Sequence, residues 1–151
     1  KQPNWIRRLE VSVREARGYW VERGWSRAAV VTTTSVIDAV GEPERAGGSR
    51  TDAWPAGIVP VGGIAFAGAR GITAVEVQVD GGPWHEATLA TVPDLDTWRQ
   101  WVWEWEAAGV GQHTIQARAA DKTGYTQTAL QADVAPNGAS GYPSTQVTVY
   151  Q

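Results

Sequence analysis

Cysteine is absent from all 151 residues, and histidine occurs at two positions only. The first absence removes disulfides, thiolate metal sites and a cysteine nucleophile. It leaves the compartment open, because an exported domain need not carry bridges. Neither His85 nor His113 has a second histidine at metal-ligand spacing. No apolar run approaches the ~20 residues that cross a bilayer, and no signal-peptide pattern is present, so no membrane contact by this chain is expected. Positive charge is in short supply: 13 Lys and Arg stand against 16 Asp and Glu, for a net charge of -3 and a pI near 5.3. Recruitment of a nucleic acid by overall charge is therefore not expected. There is no GxSxG elbow and no Walker loop. The GARG run at 68–71 resembles a phosphate-binding loop superficially, since a β-branched strand follows it rather than a helix. No amphipathic helix is predicted anywhere.

What is present is period-two alternation. Over 72–80, Val75, Val77 and Val79 fall on one face while Glu76, Gln78 and Asp80 fall on the other, the pattern of a strand with one buried and one wet side. A strand of small residues over 62–68 precedes it. Asp80-Gly81-Gly82 follows, with the positive-φ residues of a tight hairpin, and Trp84 begins the predicted returning strand. The β-branched run 28–40 predicts the first sandwich strand, and 41–57, rich in Gly, Pro and charge, a long loop. Further strands are predicted over 85–90, 97–106, 113–121 and 145–150, with another run at 125–132. Turns fall at 91–96 and 122–124, and a loop at 136–144. Seven to eight short strands separated by turn signals predict an all-β, immunoglobulin-like antiparallel sandwich.

The first 27 residues are less regular. Ile6, Leu9, Val11 and Val13 suggest a short strand, and Trp5, Tyr19, Trp20 and Trp25 are spaced irregularly. Aromatics with so few aliphatic neighbours need another surface to cover them. Charge is uneven too, with nine Lys/Arg against six Asp/Glu over 1–50 and four against ten over 51–151. The basic front half reads as a solvated, loop-rich segment or a docking surface. The chain opens on Lys1 rather than Met, and we expect it to be a piece of a longer protein.

Little in the sequence promises catalysis. His113 follows a pair of glycines at a strand entry and reads as a hydrogen-bonded structural residue. Glu104, Glu106 and Asp121 read as solvated carboxylates on strand faces and turns. Tryptophan is the unusual feature, with nine in the chain and Trp101, Trp103 and Trp105 on a single strand face. Three readings stay open for that face: sandwich core, interface to another subunit or domain, or an exposed aromatic platform for carbohydrate, as in an adhesion module.

Taken in order, GGIAFAGARGITAVEVQVDGGPWHEATL, WRQWVWEW, GQHTIQARAADKTGYTQ and PNGASGYPS resemble the C-terminal dimerisation domain of sulfite-oxidase-type molybdopterin-dependent oxidoreductases. The likeness covers residues 59–150. NWIRRLEV and GYWVERGW are similar to the segment where that family's molybdopterin domain hands over to its C-terminal domain. The resemblance implies that 1–27 is the tail of an upstream molybdopterin domain or an arm packing on one, and that 28–151 is an immunoglobulin-like dimerisation domain. It implies no chemistry in this chain. The molybdopterin-molybdenum cofactor and its ligating cysteine belong to the upstream domain, and the partners implied are that domain and a second copy. Trp101, Trp103, Trp105, Asp80, Gly81, Gly82, Val147 and Val149 are then the interface candidates. Some members lend an Arg from a late loop to an anion pocket; here the last Arg is Arg118 and the 136–144 loop is uncharged, a departure that does not favour a sulfite-like substrate. Bacterial members are often exported or attached to a membrane enzyme, which implies an extracytoplasmic setting.

Overall fold

The computed structural model describes residues 7, 8, 11, 13, 17–28, 30–41 and 53–151. The described chain is almost entirely β. It runs α1 (Tyr19–Glu22), β1 (Thr34–Val40), β2 (Ala53–Pro55), β3 (Gly57–Phe66), β4 (Ile72–Val79), β5 (His85–Glu86), β6 (Thr88–Leu89), β7 (Arg99–Ala107), β8 (Gly111–Asp121) and β9 (Ser144–Tyr150), with a 3-10 turn at Gly68–Arg70. Two sheets form, a four-stranded one in the order β1-β3-β7-β6 and a five-stranded one in the order β2-β9-β8-β4-β5. The predicted sandwich is the observed fold, and among the described residues the α-helix is a single turn of four residues.

Alternation builds the interior. Val75 and Val77 of β4, Ile115, Ala117 and Ala119 of β8, and Val147 and Val149 of β9 point inward from the five-stranded sheet. Val59, Val61 and Ala65 of β3, with Trp101 and Trp105 of β7, meet them from the other sheet. Each fully buried Val or Ile contributes roughly 1.5–3 kcal/mol over its exposed state, so this layer accounts for most of the hydrophobic drive.

Several boundaries depart from the sequence-based expectation. The stretch 85–90 is not one strand. Its first half, β5, pairs with β4, and its second half, β6, pairs with β7 in the opposite sheet. Ala87, buried between the halves, is where the chain crosses from one sheet to the other. The returning strand starts at His85 rather than Trp84. The turn before it has Asp80 at φ 51 and Gly81 at φ 70, the left-handed pair that matches the twist of a hairpin, while Gly82 lies outside the positive-φ set. The predicted strand at 125–132 is absent: two isolated bridges, Ala120 to Thr126 and Ala132 to Ser140, are all that form there. The predicted loop at 41–57 hides β2, which lies parallel to β9 and breaks the all-antiparallel expectation; 42–52 lie outside the described residues. Residues 30–33 precede β1 as non-strand chain, so the first strand starts at Thr34 rather than at 28. Of the suggested N-terminal strand, Ile6 and Leu9 lie outside the described residues, as does Trp5, while Val11 and Val13 are exposed and in no strand.

Candidate functional site

The tryptophan strand turns its indoles inward. Trp101 and Trp105 are 3% and 6% exposed, and Trp103 is half-buried against His85, with ring centroids 5.3 Å apart and planes 20° from parallel. Trp101 fits because Gly63 lies beneath it: a Cβ there would overlap the Val36 carbonyl oxygen and come within 2.7 Å of the indole. Of the other interface candidates, Val147 and Val149 lie in the same core, while Asp80, Gly81 and Gly82 form an exposed turn. An indole platform for a sugar is therefore not available at Trp101 or Trp105.

What β7 offers to the outside is its opposite row, Gln100, Val102, Glu104 and Glu106, all exposed. Register extends this row across the four-stranded sheet. Val102 lies opposite Gly62, Ile64 opposite Gln100, and Val36 opposite Ile64. The outer face thus carries Val36, Ile64 and Val102 around Gly62, with Ile58 at one end and Glu104 and Glu106 along one margin. At the other end Phe66 stacks on exposed Trp98, centroids 5.0 Å apart. Apolar residues thus cluster on this outer sheet face within a polar margin. The five-stranded sheet is the reverse outside. Its paired rows are Glu76 with Arg118, Gln78 with Gln116, Thr114 with Gln146 and Gln112 with Thr148. Arg118 Nε donates to Glu76 Oε2 at 2.7 Å and its guanidinium covers the Trp84 ring at 4.2 Å. That face is mainly polar, with Ala74 opposite Ala120, the Trp84 ring beneath Arg118 and the exposed Tyr150 among its polar pairs.

A second exposed cluster lies on the N-terminal arm. Tyr19, Trp20 and Trp25 make successive edge-on ring contacts, and Arg23 lies 3.4 Å above the Tyr19 ring. Ser26 N donates to Pro136 O at 3.1 Å, which ties the arm to the 134–140 loop. Tyr19 and Trp20 remain more than half exposed.

The carboxylates divide. Glu104 and Glu106 are exposed, as expected. Asp121 is not: it is 2% exposed, and its solvated reading is corrected. It continues the inward row of Ile115, Ala117 and Ala119, so burial follows from the alternation itself. Oδ2 accepts from Thr33 Oγ1 at 2.6 Å and from Arg70 Nε at 2.8 Å; Oδ1 accepts from the Thr123 amide and hydroxyl. Burial pushes its pKa up, but the hydrogen bonds from Thr123, Thr33 and Arg70 outweigh it and hold the carboxyl well below the usual range. A carboxylate so enclosed and so fully partnered has no lone pair for a substrate. The GARG run is thereby explained: it supplies Arg70, whose Nη2 also donates to Val31 O at 2.7 Å. Thr33, Ser35 and Gln127 are the buried polar residues that sequence reading passed over, and Gln127 is the farthest from any strand. It accepts from Ser35 Oγ and donates to Gly141 O, and no local pattern marks it.

A groove of about 480 Å³ runs between Thr32, Thr34 and Ser35 on one side and Tyr125, Gln131 and Ser140 on the other. Hydroxyls and amides line it together with Ala132, Ala139, Pro143 and one carboxylate, Asp133. Among the described residues no group of three or more His, Cys, Asp or Glu is placed to hold a metal, and no helix is long and apolar enough to cross a membrane. His113 has the hydrogen-bonded setting expected of it, with Nδ1 2.6 Å from Asp80 Oδ2 and Nε2 2.8 Å from Gly109 O.

No family model and no curated protein matches the chain. The crystal structure of the sulfane dehydrogenase SoxCD from Paracoccus pantotrophus is similar, with a TM-score of 0.58 and 23% identity over 80% of this chain and 33% of that one. An engineered protein matches at a TM-score of 0.42 and 16% identity over 82% of this chain and 21% of its own, too loosely to bear on the fold. The chain thus spans about a third of the length of the SoxCD chain it matches, and what the two share is the two-sheet fold.

Proposed function

We propose that this chain is a non-catalytic assembly domain of a molybdopterin-dependent oxidoreductase of the sulfite-oxidase type. In this reading the outer face of the four-stranded sheet holds two copies together and the N-terminal arm packs on the cofactor domain, where the molybdenum chemistry resides. The observation that carries it is the contrast between the two outer faces. Val36, Ile64 and Val102 lie together on one sheet, while mostly polar pairs line the other. The ordered motif series supports the oxidoreductase assignment, and so does a fold shared with part of a protein that is by name a dehydrogenase. The exposed Tyr19 and Trp20 supply a surface for the upstream domain. A two-fold isologous contact is the expected symmetry. Nucleic acid and membrane are not partners of the chain in this account.

Light scattering across a concentration series tests the pairing. The wild-type mass is expected to rise toward twice the 16.3 kDa of the chain at high micromolar concentration. Val102→Glu, which adds a charge beside Glu104 on a self-facing surface, is expected to stay at the single-chain mass with an unchanged circular dichroism spectrum. A strict monomer for the wild type would remove self-association from the account.

A further inference from the structure

The ring of His113 lies between two turns at the same end of the sandwich. One is the β4–β5 turn carrying Asp80; the other is the β7–β8 turn carrying Gly109. Nε2 is 2.8 Å from Gly109 O. A carbonyl oxygen has no proton to give, so Nε2 must donate. Nδ1 is 2.6 Å from Asp80 Oδ2, and an ionised carboxylate also only accepts, so Nδ1 must donate as well. A ring that donates from both nitrogens is the imidazolium.

We propose that His113 is a proton-operated clasp that, as the imidazolium, ties the Asp80 turn to the Gly109 turn and releases one of them when it loses a proton. Either neutral tautomer keeps a proton on one nitrogen only. The other would then point a lone pair at an oxygen lone pair less than 3 Å away, a contact that must open.

The surroundings fit such a device. Asp80 is the charged group that faces the ring. Trp105 of β7 meets it edge-on at 5.2 Å, and β9 lies opposite with Val147. Asp80 is held from behind: Oδ1 accepts from Thr114 N at 2.7 Å, and its own amide donates to Thr114 O at 2.9 Å. The hydrogen bond to Asp80 is the main cause that raises the His113 pKa, with the Gly109 carbonyl next. The side chain is 17% exposed, so protons reach it while water does not surround it. The clasp involves no second chain, and it stands or falls separately from the assembly reading.

Nitrogen-resolved NMR of the imidazole rings across pH 5–9 tests it. His85→Gln assigns the spectrum, because the chain has two histidines. Both ring nitrogens of His113 are expected to be protonated at pH 6, with a midpoint above the ordinary value of 6.5. Across that midpoint the Thr114 amide, bonded to Asp80, is expected to exchange roughly tenfold faster than base catalysis alone provides, the factor carried by one hydrogen bond to a charged group. Asp80→Asn, which tolerates the left-handed turn, is expected to fold and to lower the midpoint. His113→Gln is expected to abolish the extra exchange. A single neutral tautomer at pH 6, a midpoint at or below 6.5, or an unmoved midpoint in Asp80→Asn would overturn the clasp.

Discussion

Arg70 and Asp121, separated by fifty-one positions, join at 2.8 Å on the rim of the sandwich, and Thr33 closes the triangle from just before the first strand. The pair pins three parts of the chain at one point: the segment entering β1, the 3-10 turn before β4 and the end of β8. The segment entering β1 is thereby held at Val31 and Thr33, through Arg70 Nη2 and Asp121 Oδ2.

Removing Asp121 should be costly, because it takes away the acceptor of four hydrogen bonds from Thr33, Arg70 and Thr123 at once. Asp121→Ala is expected to lower stability by more than about 2 kcal/mol, since each buried donor left without its acceptor costs about 1–3 kcal/mol. Denaturant unfolding checks this as a fall in midpoint at unchanged slope. Arg70→Met is expected to cost less, since Arg70 is 31% exposed and Thr33 and Thr123 still serve the carboxylate.

The same group sets an acid dependence. Its folded pKa lies below the unfolded value of 3.8, so its contribution is present above that value and is lost as pH falls through the folded one. Between neutrality and about pH 5 Asp121 is ionised in both states and adds no slope. Below about pH 4 the wild type is expected to lose stability faster than Asp121→Asn, which has no proton to take up there. Parallel curves for the two proteins would show that the carboxylate is not held as described.

Gly63 and Trp101 form one packing unit. Gly63→Ala forces a methyl against the Val36 carbonyl and the indole and is expected to cost about 1–3 kcal/mol, as overpacked cores do. Trp101 itself is less simple, because its Nε1 is buried without a partner. Trp101→Phe removes that unmet donor along with some volume, so its loss is expected to fall below the about 3–5 kcal/mol of a Trp→Ala truncation. Equal losses for the two variants would mean that the donor carries no penalty.

Much of this architecture was readable because a half-buried strand writes its burial into alternate residues. Val75 and Val77, Ile115 with Ala117 and Ala119, and the three tryptophans of β7 each declared a face. Extending the β8 row by two would also have reached Asp121, whose charge argued against the burial that its position required. The split at Ala87 was not readable. His85 to Ala90 has the composition of one strand, and its division depends on which sheet each half meets. β2 was hidden for a similar reason: three residues ending in Pro55 signal a loop locally, and only β9, remote in sequence, makes them a strand. The outer apolar face was the hardest to read, because Val36, Ile64 and Val102 come from three distant segments and none is unusual in its own.

The absence of native cysteine allows a direct test of which face meets its like. Val102→Cys places a single thiol on the outer face of the four-stranded sheet, and Thr148→Cys places one on the five-stranded sheet. Under mild oxidation at matched concentration, the account predicts a disulfide-linked dimer from Val102→Cys, formed well ahead of any from Thr148→Cys. Equal linkage, or linkage led by Thr148→Cys, would contradict it.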